Sequence, residues 1–358
     1  MTEKILCTGN DAVARAAISA GCKHFFAYPI TPQSEIGQYM ARELPKIGGC
    51  FLQSEGEYAA GYMVLGAALS GERVMTATSS PGIALMQEPL SMMMTAEIPA
   101  VVVDTQRLGP GTGTGGQQGQ TDYTYLTRGV FGDLRYPVFA PYSVSEVYEY
   151  VQLAFHIADK YRVLSMVLND FVLARMTEYL ELKTFDFGSL PEKEWALKGS
   201  ANKGGRSDLL FTVTGFMIDI PGFFVQQKIK SDKIMESEIR YDTYKTEDAE
   251  LILVAYGYTA RVAKNAVNLA REKGIKVGMF RPISLWPFPK QALHDTAAKA
   301  GKVLVVEDGP GGGFIDDVEL SVKGKASINF LGIQARHTFR PEGLIFPERI
   351  LQEVRELL

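Results

Sequence analysis

Cysteine and histidine are scarce in this sequence, and their placement excludes more than their number does. Cys7, Cys22 and Cys50 stand far apart, with no C-x-x-C anywhere. A zinc site or an iron–sulfur cluster built from this chain alone is thereby excluded, and isolated thiols of this kind suit a reducing compartment. His24, His156, His294 and His337 include no i, i+4 pair, so a metal or triad assignment has no support. Basic residues are not in excess. The formal charge is −4, with Lys and Arg gathered into no stripe, which argues against a nucleic-acid partner. No apolar run reaches the roughly 18 residues of a membrane span, and the run after Met1–Lys4 is too brief for a signal peptide. The expectation is a soluble cytoplasmic protein.

What is present is an ordinary globular composition, 46% hydrophobic and 22% charged, in a chain of 358 residues, which is long enough for two domains. Up to about residue 180, short apolar runs alternate with small-residue or amphipathic segments, the signature of a parallel sheet covered by helices. Strands are expected at Ile5–Cys7, His24–Tyr28, Cys50–Leu52, Val74–Thr78, Ala100–Val103 and Val163–Leu168. Helices are expected at Ala12–Ala20, from Thr31–Pro32 with threonine as its cap, from Glu57, at Ile83–Met94 and at Ser145–Ala158. From Leu182 to Asp248 the pattern lapses into charged and glycine-rich pieces, read as a connecting excursion with solvated charges. A smaller α/β unit follows, with strands at Leu251–Ala255, Lys276–Met279 and Val303–Val306 and helices at Thr259–Lys273 and Pro347–Leu358. The expected division is therefore 1–182, 183–247 and 248–358.

Four stretches fall where strands run out at the expected carboxyl edge of the first sheet, the edge at which open α/β sheets bind ligands. They are Tyr28-Pro29-Ile30-Thr31-Pro32, Ser54 to Glu57, Thr78-Ser79-Ser80-Pro81-Gly82, and Asp104-Thr105-Gln106-Arg107 with the glycine loop after it. Each has a plain structural reading beside a functional one. Ser54-Glu55-Gly56-Glu57 matches the S-x-x-E capping box, yet Glu57 also opens an apolar helix where a carboxyl group can face a cofactor in a site with little water. Thr31 is a natural N-cap. Arg107, directly after a buried strand, needs either an intramolecular carboxylate or a substrate anion. The loop Gly109–Gln120 lacks the Lys-Ser/Thr of a P-loop and is a weak phosphate signal. Met86, Met92, Met93 and Met94 are expected to fill a helix interface, and Glu307–Gly313 to make a tight turn.

Taken together, the Tyr28–Pro32, Gln53–Gly61, Thr78–Gly82 and Arg107 motifs resemble those of the alpha subunit of 2-oxoacid:ferredoxin oxidoreductases, closest to the branched-chain 2-oxoacid and 2-oxoglutarate members. The resemblance covers nearly the whole chain. It implies a pyrimidine-binding thiamine diphosphate domain followed by a transketolase C-terminal-like domain. It further implies that Glu57 meets the aminopyrimidine ring, that Thr31 and Arg107 contact the 2-oxoacid carboxylate, and that Pro29, Ile30, Ser79, Ser80, Pro81 and Gly82 line the cofactor pocket. The nine-residue step from Glu57 to Gly66 fits that pattern and Glu55 does not. No G-D-G followed by asparagine occurs at the spacing that holds magnesium and diphosphate. The resemblance therefore implies a beta subunit carrying diphosphate, Mg2+ and a [4Fe-4S] cluster, gamma and ferredoxin-like delta subunits, and ferredoxin, coenzyme A and a 2-oxoacid as reaction partners. A non-catalytic scaffold of the same architecture, with Glu57 as a plain cap, and a nucleotide-binding α/β protein using the glycine loop are the alternatives.

Overall fold

The computed structural model describes residues 4–112, 115–197, 219–333 and 344–358. Strands β2 (Cys22–Ala27), β3 (Cys50–Gln53), β4 (Arg73–Thr78), β5 (Ala100–Gln106), β6 (Val138–Phe139) and β7 (Leu164–Asp170) build one parallel sheet. Its order is β12-β6-β7-β5-β4-β2-β3, in which β12 (Ser284–Trp286) is antiparallel to β6. Every residue of β5 and β7 is buried, as expected of central strands covered on both faces by helices. One apolar cluster joins Val102, Leu168 and Ile83 on one face, and a second joins Val101, Val103 and Ala12 on the other.

β1 (Lys4–Thr8) is a strand as expected but leaves this sheet, pairing antiparallel with β8 (Thr177–Glu181) in a two-stranded ribbon. The helix expected over Ile83–Met94 is two helices, Pro81–Leu85 and Gln87–Thr95, separated at Met86. Met86, Met93 and Met94 are buried in the core, whereas Met92 is exposed.

A second sheet has the order β14-β13-β10-β11-β9, with β9 (Tyr241–Tyr244) antiparallel to β11 (Val277–Pro282), and β10 (Leu251–Val254), β13 (Lys302–Val306) and β14 (Ser327–Leu331) parallel. Between the sheets the chain is not featureless. Asp219 caps an 18-residue helix, Ile220–Ser237, by accepting from the Gly222 N–H, with Pro221 in its first turn. Its charges are not merely solvated. Lys230 pairs with Glu97 and donates to the Arg162 carbonyl at 3.2 Å, while Glu238 accepts from Lys160 at 3.0 Å and Arg240 at 2.8 Å. The Lys203–Arg206 stretch lies outside the described residues.

The two units are joined in several places. Glu146, in the helix Val144–Tyr161, receives Arg281 of β11 in a two-pronged pair at 2.7 and 2.9 Å, and Arg281 also stacks 3.8 Å over the Tyr142 ring. Arg281 is only 3% exposed and its other carboxylate partner, Asp242, is 3.8 Å away, so removing Glu146 leaves a buried cation poorly paired. Glu146→Ala should lower unfolding free energy by about 3 kcal/mol, read as a fall in the denaturant midpoint of the purified protein.

Candidate active site

Because β2, β3, β4 and β5 run parallel, their carboxyl ends at Ala27, Gln53, Thr78 and Gln106 share one edge, and all four sequence-selected stretches begin there. Glu57 is the first residue of the helix Glu57–Ala68 and is 5% exposed, whereas Glu55 is exposed. The capping box does not form. Gly56, in extended backbone, is the N-cap with no side-chain bond, and the Ser54 hydroxyl donates instead to the Gly56 carbonyl at 2.8 Å. Ser54 sits two residues ahead of the N-cap position, too early in the turn to reach the helix's free N–H groups. Among the described residues no hydrogen bond holds the Glu57 carboxyl, which leaves it available to a ligand at this edge.

Next to it, the Thr78 and Ser79 hydroxyls are buried without hydrogen-bond partners. Gly82 closes over them in the short helix Pro81–Leu85. A Cβ on Gly82 would run into the Thr78 hydroxyl and lie 2.7 Å from a Glu57 carboxyl oxygen, so only glycine fits. An unpaired carboxyl beside two unpaired hydroxyls in a dry corner matches what the hydrogen-bonding edge of an aminopyrimidine needs. The residues present therefore fit that end of thiamine diphosphate. No group of three or more metal-ligating side chains occurs among the described residues.

Arg107 is 3% exposed and its Nε has no partner. Its Nη1 donates to the Thr31 carbonyl at 2.6 Å and its backbone N–H to the Ser80 hydroxyl at 3.4 Å. No Asp or Glu among the described residues lies within ion-pair distance of it. Thr31 is brought to Arg107 through its backbone and does not cap a helix. The helix there is Ser34–Glu43 with Gln33 at the N-cap, because the chain first turns through a Gln33 N–H to Ile30 carbonyl bond of 3.0 Å. Ile30 also accepts from the Ser34 hydroxyl, and Pro29 borders a cavity of about 220 Å3 with Gln33, Ser34, Gly37 and Phe51.

Ser80 and Pro81 form one wall of a larger cavity of about 540 Å3, completed by Leu108–Gly111, Thr121, Asp122, Pro310 and Ile333. Pro310 brings the Glu307–Gly313 stretch of the second unit to this cavity. Burial pushes Glu307 up to about 7 and Asp308 up to about 6. The glycine loop ends at Gln120, which stitches the units together: its amide accepts from the Asp308 N–H at 2.9 Å and donates to the Tyr256 carbonyl at 3.0 Å.

Two further carboxyls at this edge, Asp122 and Asp170, are not singled out by the sequence, and Asp104, which opens one of the four stretches, has no role assigned there. The available signal was a charge closing a buried apolar strand, as in Val101-Val102-Val103-Asp104. Burial pushes Asp170 up to about 7 against the pull of the Tyr258 N–H and the Gln106 and Gln120 amides. A folded value above the unfolded one means that the folded chain binds this proton more tightly. That contribution to stability is present below the ordinary carboxyl range and is lost as pH rises through about 7. The melting temperature of the wild type should therefore fall as pH rises from about 4 to about 7, and fall less in Asp170→Asn, as followed by calorimetry.

Comparison with known proteins assigns the fold and the family. Residues 15–246 match the family described as pyruvate flavodoxin/ferredoxin oxidoreductase, thiamine diphosphate-binding. Residues 249–344 match pyruvate:ferredoxin oxidoreductase core domain II. The ketoisovalerate oxidoreductase subunit VorB of Methanothermobacter marburgensis is 44% identical over 305 residues, covering 84% of each chain. The chain belongs to the 2-oxoacid:ferredoxin oxidoreductase family. The 2-oxoglutarate synthase subunit KorA of Methanothermobacter thermautotrophicus is 35% identical over 96% of this oxidoreductase subunit and 98% of its own length. A 2-oxoglutarate:ferredoxin oxidoreductase from Magnetococcus marinus superposes with a TM-score of 0.81 at 28% identity, covering 99% of this chain and 65% of that one. A split-gene transketolase at 12% identity and a TM-score of 0.60 shares the fold alone. The family resemblance and the α/β fold class expected from the motifs are both borne out, and so is membership in a thiamine diphosphate-dependent oxidoreductase. No helix among the described residues is long and apolar enough to cross a membrane.

Proposed function

We propose that this chain is the pyrimidine-binding alpha subunit of a cytoplasmic complex that oxidatively decarboxylates a branched-chain 2-oxoacid or 2-oxoglutarate, forming an acyl-CoA, carbon dioxide and reduced ferredoxin. The observation that carries this reading is Arg107, a buried guanidinium with no carboxylate partner among the described residues, at the edge where Glu57 also lies buried. A 2-oxoacid supplies the missing carboxylate, and two parallel N–H···O bonds would orient it. Thiamine diphosphate supplies the carbanion-stabilising chemistry that decarboxylation of a 2-oxoacid requires.

In this reading Glu57 holds or shares a proton at the aminopyrimidine. Ser79, Ser80, Pro81 and Gly82, with Pro29 and Ile30, wall the ring in and exclude water. Thr31 orients Arg107 through its carbonyl and offers its exposed hydroxyl to the same carboxylate. Diphosphate, Mg2+ and the [4Fe-4S] cluster belong to a beta subunit, with gamma and ferredoxin-like delta subunits beside it. The boundaries 1–182, 183–247 and 248–358 divide the chain into pyrimidine domain, connector and transketolase C-terminal-like domain, the connector ending in β9, which pairs into the second sheet.

The test is the purified complex assayed against a panel of 2-oxoacids with coenzyme A and a viologen acceptor. Reduction with a branched-chain 2-oxoacid or 2-oxoglutarate, dependent on coenzyme A, is expected. A complex inactive on the whole panel when loaded with thiamine diphosphate and Mg2+ overturns the reading.

A further inference from the structure

Asp104 lies within β5 and is fully buried; neither carboxyl oxygen has a fully formed hydrogen bond, although the Ser80 backbone N–H interacts with it. The carboxyl group of Asp122 faces it closely enough for the two to interact strongly. Asp122 in turn accepts the Ser80 hydroxyl at 2.5 Å. Ser80 needs holding, because its φ of 29° is unfavourable for any residue with a side chain. Ser80 then accepts the Arg107 N–H, and the Thr121 hydroxyl, one residue before Asp122, donates to the Arg107 carbonyl at 2.8 Å. Segment 121–122 thus grips the arginine's backbone from two sides. The other titratable or charged groups facing the pair are the Arg107 guanidinium and the buried, unpartnered Tyr136 hydroxyl, with Tyr125 beyond it.

We propose that Asp104 and Asp122 keep a single proton between them, Asp104 donating it to an ionised Asp122, and that this pair is the positioning device that fixes Ser80 and leaves Arg107 free for a substrate carboxylate. The geometry gives the reason. Two ionised carboxylates here would repel each other in a dry site and draw the guanidinium into an ion pair, and no such pair exists. One shared proton satisfies the otherwise orphaned Asp104 and leaves one negative charge to balance the arginine at a distance. The titration tendencies agree. Burial raises Asp104 well above the usual carboxyl range, while Asp122 is held to about 6 by the Ser80 and Asp104 hydrogen bonds working against its own burial. The pair, rather than either residue, is the titrating unit.

This inference rests on the functional reading above for its kinetic arm only. In the assembled complex at about pH 8, infrared difference spectra of wild type against Asp104→Asn should show a protonated-carboxyl band that the variant lacks. Absence of that band overturns the proposal, whatever the complex catalyses. Asparagine keeps a donor toward Asp122, so Asp104→Asn should leave the 2-oxoacid KM within about threefold of wild type. Asp104→Leu and Asp122→Ala should raise it about tenfold or more with little change in kcat. The acid limb of kcat/KM, at about 6 in wild type, should stay in place in Asp104→Asn and move upward in Asp104→Leu. Equal damage from Asn and Leu at position 104, or an unmoved limb in Asp104→Leu, overturns it. Should the leucine variant fail to assemble, the infrared comparison still decides. A wild-type complex that shows the band but oxidises no 2-oxoacid overturns the functional reading alone.

Discussion

Replacing Glu57 with glutamine in the assembled complex should cut 2-oxoacid-dependent viologen reduction by about a thousandfold, and alanine should do at least as much. Glutamine preserves the shape of the side chain and its room beneath Gly82 but can neither hold nor share a proton. A loss in the isosteric variant therefore reports proton chemistry rather than packing. Binding of thiamine diphosphate, followed by calorimetric titration, should weaken in both variants, because the buried carboxyl is the acceptor that the aminopyrimidine edge would meet. A scaffold subunit predicts the opposite pattern: unchanged turnover with a stability loss of about 1 kcal/mol. The structure has already weakened the premise of that alternative, since Gly56 is the N-cap and neither Ser54 nor Glu57 closes a capping box.

Arg107→Lys should lower kcat/KM for the 2-oxoacid by about ten- to a hundredfold, corresponding to the loss of one strong charged hydrogen bond. Lysine keeps the charge, but as a point rather than a fork. Its effect measures what geometry adds to electrostatic attraction, and it should fall mainly on KM if the carboxylate is bound equally in ground and transition states. Arg107→Ala should be worse, because it also releases the Thr31 carbonyl from its 2.6 Å bond and loosens the turn before the helix Ser34–Glu43. Lysine and wild-type complexes with the same kcat/KM would remove Arg107 from the substrate site.

Much of this edge was legible because it is written locally. A carboxylate opening an apolar helix, a Ser-Ser-Pro-Gly turn after a strand and an arginine closing another strand are each contained in a few residues, and the parallel sheet brings their ends together. The choice of Glu57 over Glu55 was likewise a matter of counting, and the structure buries the first and exposes the second. What failed was cap geometry at Thr31 and Ser54. Proline after threonine and S-x-x-E are good local signals, but both helices start two residues later than the signals suggest. The chain must first turn off the sheet, and it spends those side chains and carbonyls in doing so.

The remaining misses are non-local. Asp104 and Asp122 lie 18 positions apart and acquire meaning only when Ser80 is placed between them. The helix Ile220–Ser237 was hidden by Ile220-Pro221-Gly222, which reads as a break until Asp219 is recognised as its cap. β12 is three residues long, and its partner precedes it by more than a hundred residues, so no window of sequence contains the pairing.

That short strand has a consequence for how the gene could be divided. Ser284–Trp286 crosses from the second unit to close the outer margin of the first sheet, pairing Ser284 with Phe139 and Trp286 with Val138, and the Ala140 N–H donates to the Ile283 carbonyl at 2.8 Å. A split between residues 247 and 248 would leave each product with a raw margin: an open, apolar strand edge on one and a dangling Leu285–Trp286 on the other. Co-expressed halves would have to find each other before either was sound.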